Sequence, residues 1–274
     1  MDTVEIPEVV LNSGHKMPAI ALGTAGSASP SAEQLTPLFV EAIAAGYRHL
    51  DTAAVYLTEE IVGQAVAEAL RRGLIKSRDE LFITTKLWCA DADHDLVLPA
   101  LKESLRHGRV LSDGVGQVYW CQQRSKLSTL LQNATIPPAV NQVELNVAWQ
   151  QQKLIEFCKD KGIHVCALSP LGGAYGSINT VMESPILKDV AAARNKTVAQ
   201  VALRWVREQG ATPIARSFDR ERMRQNLQIF DWELTDEEVA KMQQIPEQKA
   251  NTGKEFVSPE GPYKSLEELW DGEI

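Results

Sequence analysis

A chain of 274 residues that is 44% hydrophobic and 23% charged, with 17 Gly and 13 Pro, can bury a sizeable core, which excludes disorder, collagen and coiled coil. Lys and Arg number 28 against 36 Asp and Glu, and the formal charge of -8 argues against nucleic-acid or anionic-membrane partners while leaving room for a local basic pocket. Barrels of the α/β class use about 250 residues as one unit, so 1–274 is read as a single domain. No apolar run approaches the roughly 20 residues of a membrane span, and 1–7 has no basic segment leading into an apolar one. A cytoplasmic, monomeric protein is the expectation. Cys89, Cys121, Cys158 and Cys166 show neither C-x-x-C spacing nor a histidine at ligand spacing, so reduced thiols and no metal site are expected.

In chain order, 9–23 reads as two short strands around the turn 12–15. A helix over 31–45 leads into a strand at 47–51, and a helix over 58–72 leads into a strand at 81–86. The second half continues with a strand at 140–145, a helix near 150–161 and a strand at 164–170. Helices over 184–194 and 197–209 then precede a strand at 212–216. Ser31 with Gln34, and Thr235 with Glu238, match the capping box, and Pro185 suits a first helical turn. The tail from 250 shows a helical period only over 265–270 and is expected to lie across the mouth or wall of the fold. Repeated strand and helix predict parallel strands with crossover helices. A (β/α)8 barrel is preferred to an open Rossmann sheet because no G-x-G-x-x-G follows the first strand. In addition Asp51, Lys86 and Arg216 all stand at strand C-terminal ends, where a barrel builds its site.

Asp51 and Tyr56 are separated by four residues just past one strand, and Lys86 ends the next. A carboxylate paired with the lysine leaves an ammonium beside the phenol, which favours its ionised form and makes Tyr56 a credible proton donor. Carbonyl reduction needs such a donor, because hydride arriving at carbon leaves an alkoxide. The alternative on spacing alone is an ordinary ion pair with Tyr56 merely packed against it.

The chain resembles the aldo-keto reductase superfamily, in particular its plant branch of codeinone-reductase, chalcone-reductase and methylecgonone-reductase-like enzymes. The resemblance is carried by Gly46 through Ala53, Ile83 through Trp88, Pro137 through Glu144, Leu168 through Gly172, and the tail from Phe256. It implies a barrel, a small carbonyl substrate, and a tetrad of Asp, Tyr, Lys and His, of which Asp51, Tyr56 and Lys86 are present. It also implies an NADPH site in which Arg216, Ser217, Phe218, Arg222, Gln225 and Asn226 clamp the adenosine phosphate. Two guanidiniums that grip a phosphate favour NADPH over NADH. Gly23, Thr24, Asp51 and Gln142 correspond to positions around the nicotinamide, Ser169 and Leu171 to the pyrophosphate loop, and Trp88 to the substrate pocket. Arg216 replaces the usual Lys, Gln225 the usual Glu, and Leu168 the usual stacking Tyr.

The resemblance breaks between 106 and 125. Absent there are the fourth strand with its Ile-His-Trp-Pro motif, the loop after it, the start of the fourth helix and a Val-Ser-Asn strand end. The catalytic His and the Ser-Asn pair that holds the carboxamide are lost with them. None of the five histidines is an obvious substitute: His107 follows the third helix, His49 reads as core, His164 begins a strand, His15 lies in the hairpin turn and His94 has no motif context. Codons for 118–123 can be chosen so that a shifted register spells Ser-Ile-Gly-Val-Ser, the centre of the missing Lys-Ser-Ile-Gly-Val-Ser-Asn strand; the transcript across 109–123 tests this. Loss of one strand leaves two edges without partners, and 116–121 offers only a weakly apolar makeshift strand, so a gapped barrel of reduced stability is expected. Impaired reduction is the leading expectation. A catalytically inactive NADPH-binding or scaffold protein of the same fold is the alternative.

Overall fold

The structure, a computed structural model, describes residues 5–26, 31–86, 95–96, 99–100, 102–104, 118–119, 124–173, 179–249, 252–254, 257–259 and 263–270. Strands β1 (Glu8–Val10) and β2 (Lys16–Pro18) pair antiparallel with Val9 opposite Met17, and Gly14 supplies the left-handed turn residue at φ 83. This is the expected hairpin. The chain divides into two compact units.

The first unit carries β3 (Ala21–Gly23), β4 (His49–Asp51) and β5 (Phe82–Thr84), parallel throughout, with Gly23 opposite Asp51 and Asp51 opposite Thr84. In the helix Ala32–Ala45, Leu35, Phe39, Val40, Ala42 and Ile43 fall on one face and are buried, and the helix packs against Glu59–Arg71 and Arg220–Leu227. Its start is held by Gln34 Oε1 accepting from the Ser31 N–H at 3.0 Å, and it ends at Gly46, which adopts φ 118. Tyr47 then turns fully inward, and its hydroxyl donates to the Met223 carbonyl at 3.2 Å. Burial holds this phenol well above its ordinary pKa, so it stays neutral. The helices Glu59–Arg71 and Arg220–Leu227 complete the unit.

The second unit carries β6 (Val118–Tyr119), β7 (Val140–Glu144) and β8 (His164–Leu168), again parallel. Around them lie Arg124–Asn133, Gln152–Asp160, Pro185–Arg194, Val198–Glu208, Asp236–Met242 and Leu266–Leu269. Leu145, Leu154, Val165, Leu187, Val201 and Trp205 form its core. Strand β9 (Thr212–Ala215) is parallel to its partners: Thr212 and Pro213 pair with β8, Ile214 and Ala215 with β3. The tail packs through Lys249, whose ammonium sits 4.7 Å from the Trp149 ring and 3.5 Å from the Trp270 ring, beyond the end of β7.

Seven parallel strands, β3 to β9, are found among the described residues where a complete (β/α)8 barrel has eight. Among those residues β5 pairs only with β4, and β6 only with β7. Among the described residues the sheet thus ends at β5 and β6, in line with the two edges expected from the sequence, and Val118 and Tyr119 within 116–121 pair with Val140 and Asn141. Cys158 and Cys166 are buried and not in a disulfide, while Cys89 and Cys121 lie outside the described residues. No helix among the described residues is long and apolar enough to cross a membrane.

The predicted capping box at Thr235 also anchors a side-chain pair. Glu238 takes Arg194 in a two-pronged contact at 2.8 and 2.7 Å and accepts from the Thr235 N–H at 2.7 Å. These bonds pull its carboxyl down to about 2. A depressed carboxyl contributes stability above its unfolded value of about 4.3 and loses it as pH falls through the folded value. Glu238→Gln is expected to cost about 1 kcal/mol at neutral pH, or roughly 2 to 4 °C in melting temperature, with the difference closing between pH 4 and 2. Paired melts across that range check it, and an undiminished gap at pH 2 rejects it.

Candidate active site

Strand register builds the site. With Gly23, Asp51 and Thr84 in one row across β3, β4 and β5, the chain two residues past Thr84 brings Lys86 back over the end of β4. Its Nζ lies 2.6 Å from Asp51 Oδ1 and donates to the Thr52 carbonyl at 3.0 Å. Asp51 is 4% exposed, so this pair is withdrawn from water, and removal of either partner strands a buried charge. Past Asp51 the backbone makes a single 3-10 turn, Ala54–Tyr56, closed by the Tyr56 N–H on the Ala53 carbonyl at 3.0 Å. That turn sets the Tyr56 ring 4.8 Å from the Lys86 ammonium. The three residues picked from the sequence thus form one cluster.

The described histidines do not join it. His49 is buried, with Nε2 2.9 Å from Thr84 Oγ1, and burial, aided by the Lys86 charge, lowers its pKa to about 3. It is neutral at physiological pH and belongs to the core, as read from the sequence. His164 Nε2 lies 2.9 Å from Thr212 Oγ1 at the start of β8, and His15 is exposed in the hairpin turn. His94, His107 and Trp88 lie outside the described residues.

At the end of β9 the residues expected to clamp the adenosine phosphate lie on one turn and one helix. Arg216 is exposed, bonded to the Ala25 carbonyl at 2.9 Å, with its guanidinium 5.9 Å from the Phe218 ring. Ser217 is buried and its Oγ accepts from the Asp219 N–H at 3.1 Å, which shapes the turn. Asp219 then caps the helix Arg220–Leu227 by accepting from the Arg222 N–H at 2.9 Å. Arg222 projects from that first turn, its side chain 72% exposed. Gln225 is half-exposed and donates to Glu221 at 3.2 Å. Asn226 is 3% exposed and hydrogen-bonds Tyr47, so it faces inward in this structure.

Gly23 ends β3, and Thr24 follows it with its N–H on the Asp51 carbonyl at 3.0 Å, beside the cluster. In the second unit, Gln142 is buried at the centre of β7 opposite Cys166. Ser169 follows β8 at φ 49, an unusual conformation for a residue other than glycine, and its carbonyl accepts from Gly172 at 2.9 Å and Asn146 at 3.2 Å. Leu171 packs on the core of that unit.

Two buried threonines, Thr52 and Thr58, escaped the sequence reading although their hydroxyls lie 2.8 Å apart beside Asp51 and Tyr56. From the sequence Thr58 reads as the first residue of the helix 58–72, whereas it is the N-cap of Glu59–Arg71.

The family model for the Aldo/keto reductase family matches residues 19–110 and 95–247. "Protein REDOX 2" of Catharanthus roseus is 48% identical over an alignment of 320 residues that covers 99% of both chains. "Rhazimal reductase 2" of Alstonia scholaris is 49% identical, again with 99% of both chains covered. A solved Bombyx mori aldo-keto reductase in complex with NADP superposes with a TM-score of 0.82 at 32% identity, covering 92% of this chain and 97% of that one. The parallel strands and helices are therefore those of an incomplete aldo-keto reductase barrel, and the chain belongs to the aldo/keto reductase family.

Proposed function

We propose that this protein reduces a ketone or aldehyde to an alcohol with NADPH, in the manner of plant secondary-metabolite reductases, as a cytoplasmic monomer. The observation that carries the proposal is one ammonium, Lys86 Nζ, held 2.6 Å from Asp51 and 4.8 Å from the Tyr56 ring. The family match crosses both compact units, which supports 1–274 as one reductase domain.

The donor set at the end of β9 suits a phosphorylated dinucleotide. Arg216 and Arg222 are exposed cations flanking a helix N-terminus, where backbone N–H groups also favour an anion. When bound, NADPH supplies the hydride. Tyr56 gives its proton to the carbonyl oxygen, and Lys86 stabilises the charge this leaves on the phenol oxygen. Asp51 keeps Lys86 in place and satisfies its charge away from water. The segment absent between 106 and 125 carries the family's His, so the carbonyl is weakly oriented and turnover is slow. NADPH fluorescence quenching with turnover of an aromatic aldehyde tests this: both are expected, binding without turnover supports the inactive alternative, and absence of both rejects the NADPH site.

The clamp is testable without turnover. Arg222→Ala is expected to weaken NADPH by about 1.5 to 3 kcal/mol, about 10- to 150-fold, and NADH far less. Equal weakening of both cofactors removes Arg222 from the phosphate site.

A further inference from the structure

Three buried hydroxyls form a chain beneath the cluster. Thr58 Oγ1 lies 2.8 Å from Thr24 Oγ1 and 2.8 Å from Thr52 Oγ1, with Thr24 and Thr52 at 0% and Thr58 at 2% exposure. Thr58 stands at the N-cap of the helix Glu59–Arg71, where a threonine hydroxyl ordinarily accepts from the helix N–H groups, yet it makes no such bond. Its oxygen, with one proton to give and two lone pairs, is committed to the two neighbouring threonines instead. Both neighbours are wired to the catalytic strand. The Thr24 N–H donates to the Asp51 carbonyl, the Thr52 N–H donates to the Thr84 carbonyl at 2.8 Å, and the Thr52 carbonyl receives Lys86 Nζ.

Only Leu57 separates Tyr56 from Thr58. It adopts φ 57, ψ 27, a conformation costly for a branched side chain, and it is 84% exposed, so packing does not offset the strain. Such strain persists only where the surroundings fix the chain on both sides. On one side stands the 3-10 turn of Tyr56. On the other stands the hydroxyl chain.

We propose that Thr58 is a positioning residue: its hydroxyl, shared between Thr24 and Thr52, pins the far end of the Tyr56 turn to the strands that carry Asp51 and Lys86. The inference rests on Tyr56 as the proton donor. A phenol two residues from this anchor moves when the anchor is released, and a shift of about 1 Å in a reacting group can cost about 100-fold in rate.

Thr58→Val keeps the shape and removes the hydroxyl, Thr58→Ser keeps the hydroxyl, and Thr58→Asn offers a helix cap in place of the threonine chain. Two readouts apply: kcat and KM for carbonyl reduction, and hydrogen exchange at the Tyr56 and Leu57 amides that close the turn. Thr58→Val is expected to lower kcat by about 10- to 100-fold with little change in KM or NADPH affinity, and to speed exchange at those amides. Thr58→Ser is expected to restore both, and Thr58→Asn to keep the helix but not the rate. Should Thr58→Val fail to fold, the contrast between Ser and Asn decides. Unchanged kcat and exchange in Thr58→Val, or a Ser variant as poor as Asn, overturns the proposal. If the unmodified protein binds NADPH but reduces nothing, the reductase reading fails, and amide exchange alone decides whether Thr58 holds the turn.

Discussion

Tyr56→Phe is expected to lower carbonyl reduction by about 100-fold or more, within the 10²- to 10⁴-fold that a positioned acid contributes, while NADPH affinity changes by less than about two-fold. The two effects separate because the substitution deletes one oxygen and leaves the ring. Lys86 Nζ lies over that ring at 4.8 Å and keeps its bond to Asp51, so the buried ion pair is undisturbed. The phosphate clamp proposed at Arg216 and Arg222 does not include Tyr56. A variant with the original rate means that water or another acid delivers the proton, and the cluster of Asp51, Lys86 and Tyr56 is then not the working site. A variant that loses NADPH binding and rate together places the phenol in cofactor binding rather than in proton transfer.

Much of this site was legible because its residues sit at strand ends. The succession of helix-like and strand-like segments located β4 and β5 to within two residues, and once those strands are parallel neighbours their ends bring Asp51 and Lys86 together. Tyr56 followed from its short loop. What escaped was set by backbone detail that no periodicity records. Leu57 does not announce a left-handed conformation, and Thr58, read as the first residue of a helix, gives no sign that its hydroxyl turns toward Thr24 and Thr52. Asn226 shows the opposite difficulty: the motif groups it with Arg222 and Gln225, but it shares the buried face of this helix with Met223 and Leu227 and hydrogen-bonds Tyr47. The pairing of Val118 and Tyr119 was read from composition alone, since a weakly apolar segment beside an open edge still offers backbone groups to β7.

Restoring the His-bearing strand, its loop and the Val-Ser-Asn strand end between 106 and 125 is expected to raise the melting temperature by about 5 °C or more and the reduction rate by about 100-fold. The alignment with the Catharanthus relative spans 320 positions against 274 residues here, so at least 46 of them have no counterpart in this chain. The family match divides into two segments that overlap at 95–110, next to the interval where the motifs are missing. Stability should respond because β5 and β6 each pair on one side only among the described residues, and β6 contributes just two residues to its ladder. A full strand supplies the missing backbone partners and the inward side chains that a closed barrel requires. Rate should respond for a different reason: the inserted His gives the carbonyl oxygen a second contact beside Tyr56, and orientation of reacting groups is worth about as much as is expected here. A restored chain whose inserted His is replaced by Ala separates the two causes. It is expected to keep the gain in melting temperature and lose the gain in rate. If the restored chain melts no higher than the present one, the open edges cost nothing and the gapped-barrel argument fails. If the Ala version is as fast as the His version, the segment acts through closure alone.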